Sequence, residues 1–339
     1  MAETLQTGQQ RASQLVRAAQ IAHDTEVRQS PNGVSFATFG ETGLADLDLD
    51  RMLEAVPTAI TAALKANTYY FVPLALREAT ENIDTTENID TTENIDTTGN
   101  IDTTSANKAA TPSPAMVASA YTDEFSAAAI CHRNVELGHG KRGVFISTRL
   151  MGDRFALSFE FFINVAHAFV DQAGVPAAFS DLVWKQALNN IRGETSVDAW
   201  ESRNLAFGRP ANAQPEPLQP ASRRNRIALA SFSARQRSFS NSTALHSTLP
   251  QLNAAAQQGA EAQPSLNEKE RGLYLDSAFS DAVAIYLLSL ALDFDYSELR
   301  EREYPLLAPA ALAARLRVIA DLFPPNPGYE FAVRYRRRA

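Results

Sequence analysis

The chain has 339 residues, 45% of them hydrophobic, with 15 glycines, one cysteine and a net charge of −8. That is enough for one large domain or two to three smaller ones around a sizeable core, and the single Cys131 excludes an internal disulfide framework. The charge describes no surface: residues 81–104 hold three Glu, four Asp and no basic residue, so the rest of the chain sums to about −1 and acidity points to no partner class.

Scarce glycine beside abundant alanine leans the chain towards helix. Leu15, Val16, Ala19 and Ala22 have the spacing of a short amphipathic helix over 9–23. Pro31-Asn32-Gly33 is a turn signal, and residues 34–39 after it read as a strand. Residues 46–65 are helical by composition with a break at Pro57, and the aromatic run Tyr69, Tyr70, Phe71, Val72 predicts a strand over 68–74.

Residues 81–98 repeat ENIDTT three times, and 99–104 read GNIDTT. Four hexapeptides cannot stack a β-helical core, and one Ile in six residues buries too little to offset chain entropy. The repeat and the Pro-containing stretch after it therefore predict a disordered insertion.

Order is expected again from Met116. Residues 121–131 are Ala-rich and read as helix, and 144–147 as a short strand. Residues 153–173 form the densest apolar run, a central helix stopped by Gly174, with Pro176 starting the next, which runs to Gly193. A third helix follows with Thr195 as cap and Asp198 three positions on. Residues 208–265 are Pro-, Ser- and Arg-containing and predict a second disordered stretch with one strand-like island at 226–233. A long helix is expected over 266–293, and another over 297–322, broken at Pro305 and Pro309. A period-2 strand is expected over 329–335.

These elements predict a mainly α fold, with α+β as the alternative. A helical core surrounds the buried helix at 153–173 and carries a small minor sheet. The expected organisation is an N-terminal helical part with minor strands (1–80), the repeat and linker (81–115), a helical core (116–207), a second linker (208–265) and C-terminal helices packing on the core (266–339).

On the central helix Asp153, Glu160, Asn164, His167 and Asp171 fall within roughly 60° of arc, and phenylalanines and aliphatics occupy the rest. Such a narrow polar line is either a thin edge in water or the wall of a cleft. In a cleft, Glu160, His167 and Asp171 become candidate ligands for a divalent cation, or Asp171 orients His167 as a general acid–base pair. At an exposed edge they are ordinary surface groups. His132 and His139 are expected in loops or at the surface, and Asp276 and Asp281 at the wet start of a helix.

Residues 138–143 match GxGxxG, but a strand rather than a helix follows, so a tight basic turn is the better reading. Arg223, Arg224, Arg226, Arg235 and Arg237 lie with Phe232 and Phe239, a pattern that can bind single-stranded nucleic acid; near-neutral charge outside the repeat argues against that partner. No stretch reads as a signal peptide or an uninterrupted membrane span. The expectation is a cytoplasmic, non-catalytic binding or interaction module without a cofactor, partnered by protein or by itself. The alternative is a metal-dependent hydrolase or oxidoreductase built on Glu160, His167 and Asp171.

Overall fold

The computed structural model describes residues 15–77, 115–211, 267–296 and 304–332. The hexapeptide repeat, the island at 226–233 and the last part of the expected C-terminal strand lie outside these residues.

The alternating run Asn67–Val72 forms β4, the middle strand of a five-stranded sheet in the order β2 (Arg28–Gln29), β3 (Ser35–Thr38), β4, β9 (Lys141–Ser147), β8 (His132–Gly138). The three inner strands are parallel and the two edges antiparallel. Alternate side chains go to opposite faces. Phe36, Tyr69, Phe71, Val144 and Ile146 face one core, while Ala37, Tyr70, Val72 and Phe145 face a smaller one. That smaller core is closed by α1 (Ala18–Asp24).

A second sheet of four short strands has the order β1 (Leu15–Arg17), β6 (Met116–Ala118), β5 (Leu74–Leu76), β7 (Ala129–Ile130). Both sheets join segments that precede the repeat to segments that follow it.

The remaining elements are helices. α2 (Asp46–Glu54) and α3 (Thr58–Thr61) separate at Pro57, as expected, and pack beside the central helix α5 (Arg154–Ala173). α4 (Asp123–Ser126) is a single turn. α6 (Ala177–Leu188), α7 (Val197–Ala206) and α9 (Pro309–Leu322) surround α8 (Glu268–Ala291).

α5 is therefore an inner layer. One flank meets the sheet, with Phe161 edge-on to Tyr69 at 5.1 Å between ring centroids. Its far end meets α8 and α9, through Phe169 with Phe279 at 6.3 Å and Phe323 at 5.1 Å. By length and composition α8 is apolar enough to cross a membrane, but 72% of its most apolar window is buried inside the protein.

The mainly α expectation is overturned. Helix takes 48% of the described residues and strand 18%, in sheets of five and four strands, so the fold is mixed α+β. Five of the missed strands are two or three residues long, too short for an alternating pattern to show, and the seven-residue β8 carries polar residues towards α5 and so reads as loop. Residues 15–17, expected in helix, pair with 116–118 instead. The Ala-rich stretch 121–131 keeps one helical turn and then gives Ala129 and Ile130 to β5. Tertiary pairing overrides weak local propensity in both cases. Residues 329–332 are not in a strand: Tyr329 donates its hydroxyl to the Arg51 carbonyl at 3.0 Å, and Phe331 packs edge-on against Tyr286.

A buried ionic network holds the helical half together. Glu194 and Arg315 are fully buried. Glu194 Oε2 accepts from Arg315 at 2.9 Å, and its Oε1 accepts from Arg203 at 3.0 Å and from the Tyr274 hydroxyl at 2.7 Å. Arg315 also donates to Gln186 at 2.8 Å. Gly193 admits this segment because a Cβ there would stand 2.1 Å from the Leu306 carbonyl oxygen, at a φ of +81°.

Removing one member of such a network leaves buried charge unpaired, at a cost of about 3–5 kcal/mol. Urea unfolding of Glu194→Gln should show a loss of this order; a loss within about 0.5 kcal/mol, the range of ordinary surface changes, would contradict the assignment.

Candidate functional site

The polar line of α5 lies along the edge of the five-stranded sheet. β8 runs opposite to β9, with His132 paired to Ile146 and Asn134 to Val144, so these polar residues share the face that α5 covers. His132 Nδ1 donates to Glu160 Oε1 at 2.5 Å, with side chains only 16% and 8% exposed. Asn164, one turn on, donates to the Glu160 carbonyl at 2.8 Å. His132 is thus a packed strand residue, contrary to its expected loop position.

His167 sits beside this pair. Its burial pulls the imidazole well below the ordinary 6.5, to about 4; repulsion from His132 acts in the same direction and the Glu160 charge opposes both. It is therefore neutral at physiological pH.

Asp171 departs from the group. It is exposed and stands 3.7 Å from Arg142, whose Nε also donates to Glu136 at 3.0 Å. The candidate trio is divided accordingly: Glu160 and His167 share the His132 neighbourhood, and Asp171 belongs to a surface ion pair. Among the described residues no group of three His, Cys, Asp or Glu is placed to hold a metal ion.

Other flagged residues resolve simply. His139 and Gly140, both with positive φ, make the two-residue turn between β8 and β9, so the GxGxxG match is a hairpin. Asp276 is raised by partial burial and by the Asp171 charge. Asp281 is not at a wet helix start: it is 3% exposed and accepts from the Thr195 hydroxyl at 2.9 Å. Burial drives its carboxyl up to about 7 against the bonds from Ser196 and Thr195. The expected Thr195 cap is one residue early, since Ser196 caps α7 by accepting from the Ala199 amide.

The residues missed by pattern lie at the other end of α5. A cavity of about 300 Å³ opens at the carboxyl ends of β3 and β9, where ligands of open α/β sheets commonly bind. The loop after β3 supplies Thr42, Gly43, Leu44 and Ala45, and the loop after β9 supplies Thr148, Arg149, Gly152 and Asp153. Leu49 and Met52 of α2 and Leu157 of α5 add apolar surface, and Ser158 of α5 adds a hydroxyl. The two loops are stitched together: Thr148 Oγ1 donates to the Thr42 carbonyl at 2.7 Å and Arg149 Nε to the Glu41 carbonyl at 3.1 Å. Only a strand-to-helix loop facing a second such loop could have signalled this site, and sequence spacing does not say which loops meet.

No known protein family, curated protein or solved structure matches the chain.

A histidine whose folded pKa is depressed destabilises the fold as acid charges it in the unfolded chain. Stability should be full above 6.5 and fall as pH drops from there through about 4. His167→Gln should lose that slope in denaturation measurements across this window; an unchanged slope would show that His167 does not titrate low.

Proposed function

We propose that this protein is a non-catalytic binding module for a small molecule, with the strand-end pocket as its site. The observation that carries this reading is the cavity itself, at the lower end of the roughly 300–1,000 Å³ usual for ligand pockets. Its composition supports the reading too. Apolar Leu44, Leu49, Met52 and Leu157 share the lining with a few fixed polar groups, the mixture that gives affinity from burial and orientation from hydrogen bonds.

Binding rather than catalysis is supported by how the charged groups are engaged. A general acid or base needs a proton to give or take near the working pH. Asp153 accepts from the Ala156 amide at 2.7 Å as the cap of α5, and Asp48 pairs with Arg154 at 3.1 Å. The Glu160–His132–His167 group, the better acid–base chemistry, is not part of this lining.

Ligand-observed NMR on the full chain, with a panel of neutral, anionic and cationic fragments, tests the reading. Ala45→Trp fills the mouth from an exposed position, and Leu157→Trp fills the floor. At least one fragment should show saturation transfer that both variants abolish. A panel in which no signal depends on either residue would sink the proposal.

A further inference from the structure

Asp281 lies outside the strand-end pocket, where α8 meets residues 194–196. These three residues lead into α7 and are held by two sets of bonds. In the first, the Glu194 amide donates to the Pro305 carbonyl at 3.0 Å and the Leu307 amide donates to the Glu194 carbonyl at 2.9 Å. The Tyr304 hydroxyl adds a bond to the Thr195 carbonyl at 3.0 Å. In the second, Asp281 takes the side chains: Thr195 Oγ1 donates to its Oδ2 at 2.9 Å, and the Ser196 hydroxyl donates to it as well.

Ser196 gives the contact its reach, because it is also the cap of α7. Its side chain accepts from the Ala199 amide at 3.1 Å, and its carbonyl accepts from the Trp200 amide at 3.1 Å. The Asp281 carboxyl therefore fastens the first turn of α7 to α8.

What surrounds that carboxyl decides its protonation. It is buried, and both of its donors are neutral hydroxyls. The charged groups acting on it are carboxylates, Asp198 from α7 and Glu194 from the segment before it. The arginines of the adjacent network are bonded elsewhere: Arg203 to Glu194 and the Gly193 carbonyl, Arg315 to Glu194 and Gln186. Tyr296, beyond the end of α8, is a further titratable neighbour, and burial keeps its phenol protonated. A buried carboxyl with hydroxyl donors and acidic neighbours favours its neutral form. Once ionised, it adds a negative charge beside Glu194 and Asp198 that only water can solvate.

We propose that Asp281 is a proton-operated latch on the start of α7. With its proton in place the carboxyl holds Thr195 and Ser196 on α8. When the proton passes to solvent, water enters to solvate the carboxylate and the first turn of α7 separates from α8. Burial sets the range, lifting the carboxyl from its ordinary 3.8 to about 7 against the two hydroxyl bonds. The folded chain thus holds this proton more tightly than the unfolded chain. The stability Asp281 contributes is full below 3.8 and is lost as pH rises to about 7.

Trp200 reports from the turn that the latch holds, and Trp184 is the other tryptophan of the chain. The Trp200 indole nitrogen is buried without a partner among the described residues, so contact with water moves its emission to the red. In full-length Trp184→Phe protein, a titration through neutrality should show that shift with a midpoint near 7. Adding Asp281→Asn, which has the shape of the neutral acid and keeps an acceptor for Thr195, should hold the emission constant. Asp198→Asn removes a neighbouring negative charge and should lower the midpoint. Thr195→Val removes a donor to the carboxylate and should raise it by about one pH unit. Urea unfolding supplies the second measurement. Relative to Asp281→Asn, a comparison in which the His167 contribution cancels, the wild-type folding constant should fall about tenfold per pH unit between 3.8 and about 7.

An emission shift that persists with Asp281→Asn, or that never occurs, overturns the latch. A tenfold slope with constant emission overturns the release of α7, since Asp281 then loses its proton with the helix in place. A flat comparison in urea means that Asp281 is ionised throughout and overturns the proposal entirely. Should Asp281→Asn fail to fold, opposite movements of the midpoint in Asp198→Asn and Thr195→Val support the assignment, and a midpoint that neither moves overturns it.

Discussion

A helix covered along most of its circumference must still place its polar residues somewhere, and α5 has almost nowhere to put them. The sheet takes Phe161, and the α8 layer takes Phe169. What remains is a narrow line from Asp153 to Asp171, and each part of it meets a different environment. Asp153 caps the helix in the strand-end pocket, Glu160 closes on His132, and Asp171 reaches Arg142 in solvent. A helix of 20 residues is about 30 Å long at 1.5 Å per residue. One stripe can therefore carry groups too far apart to act together, and reading the stripe as a single site overlooks that length.

The same constraint shapes the pocket. Because α5 is held by its middle and far end, its first turn projects into the space between the two strand-end loops. Thr148 and Arg149 tie those loops together from the β9 side. The pocket walls are thus tied to one another by hydrogen bonds already made in the fold, which favours a preformed site with little ordering cost on binding. The Glu194 network does comparable work for the helical half: its carboxylate links α7, α8 and α9, and Arg315 extends the network to Gln186 of α6. Hydrophobic contact alone would permit several helix registers; a fully buried charge with three side-chain partners in set directions permits far fewer.

Legibility in the sequence followed pattern length. α5 and α8 are long and periodic, and both stand close to where spacing placed them. The Pro57 break, the Pro31-Asn32-Gly33 turn and the strand at Tyr69–Val72 also agree, because Pro and Gly restrict the backbone locally and aromatic runs favour a pleated surface. β1, β6 and β7, of two or three residues each, left no readable period. β8 carries polar residues on the face towards α5 and reads as loop, so His132 was misplaced with it. Arg315 is a different case. It falls at helical spacing with Leu312, Leu316 and Ile319, and a charge on an apolar face is itself a sign of a buried partner.

By itself the sequence determined which segments are long helices, where the chain turns, and that a histidine, a glutamate and an aspartate share one face of α5. Those are local facts, set by backbone sterics and by side-chain periodicity over one element. Only the tertiary structure decided what that face meets, that short strands from both sides of the repeat pair into two sheets, and that Arg149, Ser158 and the start of α5 come together. Contacts between residues far apart in the chain depend on which elements bury each other's surfaces, and no spacing within one element records that choice.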